Sequence, residues 1–298
     1  MYNFPTILTA DALSAMNKND NERITFIKSK KYIRYQKEMM IDEKLEDLLL
    51  EPIKPRMPCL LIVGSSNNGK TSLVTRFFEK HPPTDGFDAE AFPVVYVVSP
   101  SNADYGSLYD KIFGALNIPF RKSDSLSQKE RDLQYYFKRA GTKMLIIDEI
   151  HSISGGTASK QRQYMNAIKN LNNELEIPIV LVGTKDALNV TSTDTQISSR
   201  FKPMFLTLWS MDDEFDALIY GLERSLPLKK PSKLLEDDKV LEKILTLSEG
   251  LIGEIVEIIS EAAIKAIRTG TERIGIKEIK ALNYIPLSKR RDIDHMNV

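Results

Sequence analysis

One cysteine, Cys59, stands in 298 residues, so no intrachain disulfide can form and a cysteine-based metal site is excluded. That usage fits a reducing, cytoplasmic compartment. Cys59 lies in the run Cys59-Leu60-Leu61-Ile62-Val63, where it reads as a small core residue. Histidine is also scarce. Neither His81 nor His295 has neighbours at metal-ligand spacing, so no structural metal is expected. No apolar run approaches the ~18 residues of a membrane span, and no membrane association is expected. The opening Met1-Tyr2-Asn3-Phe4-Pro5-Thr6 has no basic-then-apolar signal pattern. Net charge is missing too, with 41 Lys and Arg against 41 Asp and Glu. Whole-chain charge therefore argues neither for nor against a nucleic-acid partner; only local patches can.

Hydrophobic residues at 42% and charged residues at 28% leave ample material for a core. The length suits one large domain with a smaller one. The chain is organised around Gly64-Ser65-Ser66-Asn67-Asn68-Gly69-Lys70-Thr71, which reads G-x-x-x-x-G-K-T. An apolar strand precedes it, and Ser72-Leu73-Val74-Thr75-Arg76-Phe77-Phe78 follows with helical spacing. Gly64 and Gly69 permit backbone angles and close approach that a Cβ forbids. Backbone N–H groups from Ser65 to Thr71 can then face phosphate oxygens, aided by the helix N-terminus. Lys70 supplies a point charge for the β- and γ-phosphates, and the Thr71 hydroxyl a ligand for Mg²⁺. Gly64 through Ser72 is the candidate ATP-binding set.

Met144-Leu145-Ile146-Ile147-Asp148-Glu149 is the second chemical signal. Four apolar residues make a buried strand, and two carboxylates stand at its carboxyl end, where open α/β sheets place their sites. Asp148 would hold Mg²⁺ through its water shell, and Glu149 would orient the attacking water. Between the two motifs, Val94-Val95-Tyr96-Val97-Val98 reads as another buried strand. Ile179-Val180-Leu181-Val182-Gly183-Thr184 is a further one, ending in the hydroxyl of Thr184, a candidate to contact the water or the γ-phosphate. His151, two residues past Glu149, reads either as a gate to the site or subunit contact, or as a structural loop histidine. Arg200, before the apolar Met204-Phe205-Leu206-Thr207-Leu208, reads either as a group projecting into a neighbouring subunit's site or as a surface ion pair. The predicted fold class is α/β, a P-loop NTPase (AAA+) parallel sheet flanked by helices, with a small C-terminal helical lid.

The predicted organisation is an N-terminal helical arm over 1–54, partly flexible, a nucleotide-binding domain over 55–210, a helical lid over 211–285 and a basic tail over 286–298. Residues 1–20 show no clear period, and the pattern turns helical from Asn21 to Leu50. Lys30, Arg34 and Lys37 would share one face of that helix, as a nucleic-acid or partner contact or as a solvated face.

Taken together, the chain resembles the AAA+ ATPases that regulate transposition, the TniB and TnsC-like proteins that accompany DDE transposases. The likeness spans roughly residues 24–283. It rests on Pro55-Arg56-Met57-Pro58, the P-loop, Pro93-Val94-Val95-Tyr96, Met144 to Glu149, Ile177 to Thr184, Ser199-Arg200-Phe201 and Glu249-Gly250-Leu251-Ile252-Gly253. It implies a slow ATPase using ATP and Mg²⁺. It also implies a homo-oligomer, ring or helical filament, that wraps duplex DNA and recruits a transposase, with a target-selection protein as a further partner. In such assemblies the region matching Ser101 to Lys122 faces DNA, which makes Lys111, Arg121 and Lys122 the candidate contacts. The chain departs from the pattern at Glu254, where related proteins often carry a base after the second lid glycine. A helicase-loader or replication-initiator-like ATPase, and a nucleotide-gated switch that binds no DNA, are the alternatives.

Overall fold

The computed structural model describes residues 8–29, 33–85, 90–192 and 195–290. The chain separates into two compact units. One comprises Lys37–Thr207, and the other Met1–Gln36 together with Leu208–Val298. At the N-terminus, helix α1 is Ala10–Met16, α2 Asp20–Lys28 and α3 Gln36–Leu49.

The α/β unit runs β1 (Cys59–Gly64), α4 (Lys70–Lys80), the short antiparallel pair β2 (Thr84–Asp85) and β3 (Glu90–Ala91), β4 (Val94–Val98), α5 (Tyr105–Ala115) and α6 (Leu126–Arg139). It continues with β5 (Met144–Asp148), a 3-10 turn over Ile150–Gly155, α7 (Ala158–Leu175), β6 (Ile179–Gly183), α8 (Asp186–Thr191), α9 (Thr195–Arg200) and β7 (Phe201–Leu206). Five parallel strands make one sheet in the order β4-β5-β6-β1-β7. Every residue of β1, β5 and β6 is buried. This is why these segments read as unbroken apolar runs and not as alternating ones: helices cover both faces of a parallel sheet. The core of this unit gathers Leu61, Val95, Ile147 and Leu181 from the strands with Tyr109, Phe113 and Tyr164 from the helices. Cys59 lies within it, as expected.

The helical unit adds α10 (Asp213–Arg224), α11 (Asp238–Ser248), α12 (Ile252–Thr269), α13 (Ile276–Lys280) and α14 (Leu287–Arg290). Its core joins Phe215, Leu222, Ile244, Ile258 and Ile259 with Ile27 of α2. A buried ion pair fastens that N-terminal helix. The Arg23 guanidinium, fully buried, is held bidentately by Glu272 and donates through Nε to the carbonyl of Pro227 at 3.0 Å.

Two expectations for the N-terminal segment are corrected. Its first part is not featureless from residue 8 on. Thr9 caps α1 by accepting from the Ala12 N–H at 3.3 Å, and Ala12 and Ala15 are buried. Small residues bury without an obvious apolar period, which is why the pattern was silent. The second correction concerns 21–50, which is two helices and not one. Ser29, extended at φ −67° and ψ 149°, ends α2, and residues 33–35 are non-helical. Arg34 and Lys37 therefore share no helical face, and Lys30 lies outside the described residues. The apolar stretch Met204 to Leu208 is only partly strand, since β7 begins at Phe201 and ends at Leu206. Most of the tail expected over 286–298 likewise lies outside the described residues.

Candidate nucleotide-binding site

The site is built at the carboxyl ends of β1, β5 and β6. Gly64 ends β1 and Lys70 begins α4, so five residues turn the chain between them. Two of these take left-handed backbone, Asn67 at φ 59° and Gly69 at φ 81°. Gly64 is needed for space: a Cβ there would lie 3.1 Å from the Cβ of Leu206 and 3.2 Å from its carbonyl oxygen. Asn68 clamps the loop to the end of β7, its Nδ2 donating to the carbonyls of Leu206 at 2.9 Å and Thr207 at 3.1 Å. The Lys70 ammonium, 5% exposed as a residue, donates to the Ser65 carbonyl at 2.7 Å. Burial lowers its pKa, and the carboxylates of Glu149 and Asp148 oppose that shift.

The two motifs meet. Thr71 Oγ1 donates to Asp148 Oδ2 at 2.7 Å, across 77 residues of sequence. Asp148 is fully buried, and its other oxygen accepts from the backbone N–H of Glu149 at 2.7 Å. The Tyr96 hydroxyl donates to Asp148 Oδ2 at 3.1 Å, and burial with the neighbouring carboxylate holds that phenol well above its ordinary pKa. A hydroxyl and a carboxylate side by side are hard oxygen donors, the set that suits Mg²⁺. Glu149, left-handed at φ 56°, projects from the strand end with its side chain 43% exposed. Its Oε2 lies 3.2 Å from His151 Nε2. His151 Nδ1 accepts from the Thr184 N–H at 3.4 Å. His151 thus stands between Glu149 and Thr184, whose hydroxyl lies 3.5 Å from Asp186 Oδ2.

Other predicted residues lie elsewhere. Arg200 directly precedes Phe201, which pairs with Cys59, whereas the loop leaves at Gly64, which pairs with Leu206. Five strand steps of about 3.3 Å put some 16 Å between Arg200 and its own P-loop. Its Nη1 donates to Asn172 Oδ1 at 2.9 Å and Asn173 Oδ1 at 2.7 Å. Lys111 donates to the carbonyls of Val98 at 2.9 Å and Ser99 at 3.3 Å. Arg121 and Lys122 are exposed between α5 and α6. In the helical unit, Glu254 is buried and accepts from the Tyr284 hydroxyl at 2.6 Å and Arg290 Nη2 at 2.7 Å. Sequence reasoning missed Tyr96 and Asn68 as side-chain contributors. The one trace of Tyr96 is an aromatic hydroxyl within an otherwise all-valine strand.

This sheet order, with a P-loop on β1 and paired carboxylates at the end of β5, defines a P-loop AAA+ ATPase fold. The solved structures agree. Cdc6p from Pyrobaculum aerophilum is similar at 17% identity and TM-score 0.62, covering 90% of this chain and 72% of its own. The Aeropyrum pernix ORC1 protein in complex with DNA is similar at 16% identity and TM-score 0.59, with 87% and 68% covered. Drosophila ORC bound to DNA gives 12% identity and TM-score 0.53, with 89% and 65% covered. The family model for the bacterial TniB protein matches residues 23–211, and the chain belongs to that family. No curated protein matches significantly in sequence. Among the described residues no helix is long and apolar enough to cross a membrane.

Proposed function

We propose that the chain is an ATP-hydrolysing regulator of DNA transposition that oligomerises on duplex DNA and recruits a DDE transposase. The observation that carries the hydrolytic part is the 2.7 Å contact between Thr71 and Asp148, with Lys70 beside it and Glu149 one residue on. The N-terminal amides of α4 and the Lys70 ammonium bind and orient the triphosphate, giving up the Ser65 carbonyl for a phosphate oxygen. Thr71 and Asp148 would hold Mg²⁺, which when bound offsets the charge of the β- and γ-oxygens. Glu149 takes the proton of the attacking water through its carboxylate, and Thr184 orients that water or the γ-phosphate. Arg200, too far from its own site, acts on that of an adjacent subunit.

TniB family membership supports the transposition reading, and the two structures in complex with DNA share the fold on which such binding is built. Lys111 would have to leave two carbonyls to reach phosphate, so Arg121 and Lys122 are the better-placed contacts. Their binding is to backbone phosphate and falls with salt. The likeness to ORC1 and Cdc6p favours one alternative, a replication-initiator-like ATPase.

The test is imaging of the purified protein with ATP or a non-hydrolysable analogue, with and without linear duplex, followed by retention of a DDE transposase on the product. Rings or filaments that need both nucleotide and DNA, and that retain the transposase, are expected. Monomers under every condition would refute the oligomerisation. Assemblies that hold a replicative helicase instead would favour the alternative.

A further inference from the structure

The hydrolytic reading gives Glu149 the proton of the water but does not say what holds its carboxylate. Glu149 directly follows β5 in a left-handed conformation that an L-residue seldom adopts. Its long side chain is 43% exposed. Free rotation of such a chain would spend much of its time away from one geometry, and a displacement of about 1 Å costs about 10²-fold in rate.

His151 lies against it. His151 sits in the 3-10 turn that starts directly after Glu149, with its side chain 25% exposed. Its Nδ1 faces a backbone donor, the N–H of Thr184 at 3.4 Å. An N–H pointing at Nδ1 requires the lone pair there, which leaves the proton on Nε2. Nε2 lies 3.2 Å from Glu149 Oε2, so the nitrogen that carries the proton faces the carboxylate. That contact engages one carboxylate oxygen and leaves the second for a water.

The packing that makes the bridge possible depends on Gly183. A Cβ there would lie 2.9 Å from both Ala187 Cβ and Ile150 Cγ2, and 3.4 Å from the backbone N of His151. Only a glycine at the end of β6 lets the turn close onto Thr184. The sequence therefore supplies glycine, threonine and histidine on two segments that the sheet sets side by side.

We propose that His151 is a positioning residue for Glu149: its imidazole fixes the carboxylate at the end of β5 against the Thr184 amide at the end of β6, so that the groups meant for the water move as one unit. The inference rests on the hydrolytic reading above.

The test compares wild type, His151→Ala and His151→Gln in ATP turnover and in binding of a fluorescent ATP analogue. Glutamine keeps a donor near the Nε2 position but offers no ring nitrogen to Thr184. His151→Ala is expected to lower kcat about 10- to 100-fold, with KM and analogue affinity within about twofold of wild type. His151→Gln should recover most of the loss. Independently of turnover, a long-range proton–nitrogen correlation spectrum of imidazole-labelled protein under mildly alkaline conditions should show His151 as the Nε2–H tautomer. Its signal is assigned by its loss in His151→Gln. An unchanged or raised kcat in His151→Ala, a loss confined to KM, or an Nδ1–H tautomer would each overturn the proposal. A wild type that turns over no ATP, with or without duplex, would overturn the hydrolytic reading and this inference with it. Turnover in the wild type that His151→Ala leaves intact would overturn only the inference.

Discussion

Replacing Arg23 by methionine tests whether the N-terminal helix α2 is a structural part of the helical unit or an appendage. The guanidinium is fully buried, and the Glu272 carboxylate that grips it is 11% exposed. Besides Glu272, it satisfies the Pro227 carbonyl twice, at 3.0 and 2.7 Å, and Asp20 at 3.0 Å. Methionine keeps the stem volume but leaves Glu272 in the interior without its main partner. Removing one member of a buried pair costs roughly 3–5 kcal/mol. At about 2–4 °C per kcal/mol for a chain of this size, the melting temperature should fall by roughly 6–20 °C.

The pH dependence supplies a second signature. Burial alone would raise the pKa of Glu272. The hydrogen bonds from Arg23 and from the Lys229 N–H outweigh it and hold the value below that of a free glutamate. The pair's contribution in the wild type is therefore fully present above about pH 4.5, the unfolded value, and is lost as pH falls through the lower folded value. In Arg23→Met, burial prevails and the sign reverses, because protonating Glu272 relieves the variant. Circular-dichroism melts across pH should show the gap between the two proteins narrowing in acid. The double variant Arg23→Met with Glu272→Met should be more stable than Arg23→Met alone. A fall under about 3 °C, or a gap that is constant with pH, would refute the reasoning.

Lys70→Ala is expected to abolish binding of a fluorescent ATP analogue and DNA-dependent assembly together; filaments that persist without nucleotide contact would remove Lys70 from that role. Arg200→Ala should lower turnover of the assembled protein by roughly 10³-fold while the monomer keeps its ATP affinity, and equilibrium titration beside steady-state kinetics separates the two. The Cys59 thiol, pushed up to about 11 by burial, is about one part in 10³ ionised near pH 8. A thiol reagent should therefore react with the folded protein at least about 100-fold more slowly than with the unfolded chain.

Much of the fold could be read from residue order because local physics dictates it. Strands buried on both faces must be unbroken apolar runs, so β1, β4, β5 and β6 announced themselves. The P-loop did so through two glycines that no other residue replaces, with Lys70 and Thr71 fixed by position. Asp148 and Glu149 were legible as carboxylates ending an apolar strand. The weak signals were those in which small or polar residues bury. Ala12 and Ala15 of α1 carry almost no hydrophobic period, and Arg23 reads as a solvent-facing charge until Glu272 is brought to it across 249 residues. The sequence by itself determined the chemical parts: a phosphate loop, a hydroxyl, two carboxylates and a threonine at strand ends. Only the tertiary structure decided their company. Strand order sets β5 and β6 side by side and so brings His151 between Glu149 and Thr184. It puts Tyr96 on Asp148 and ties Asn68 to β7. It also leaves Arg200 at the end of β7 opposite to the one that meets the P-loop. Such pairings depend on which strands become neighbours, and that is settled by burial of the whole sheet and not by any stretch of sequence short enough to show a pattern.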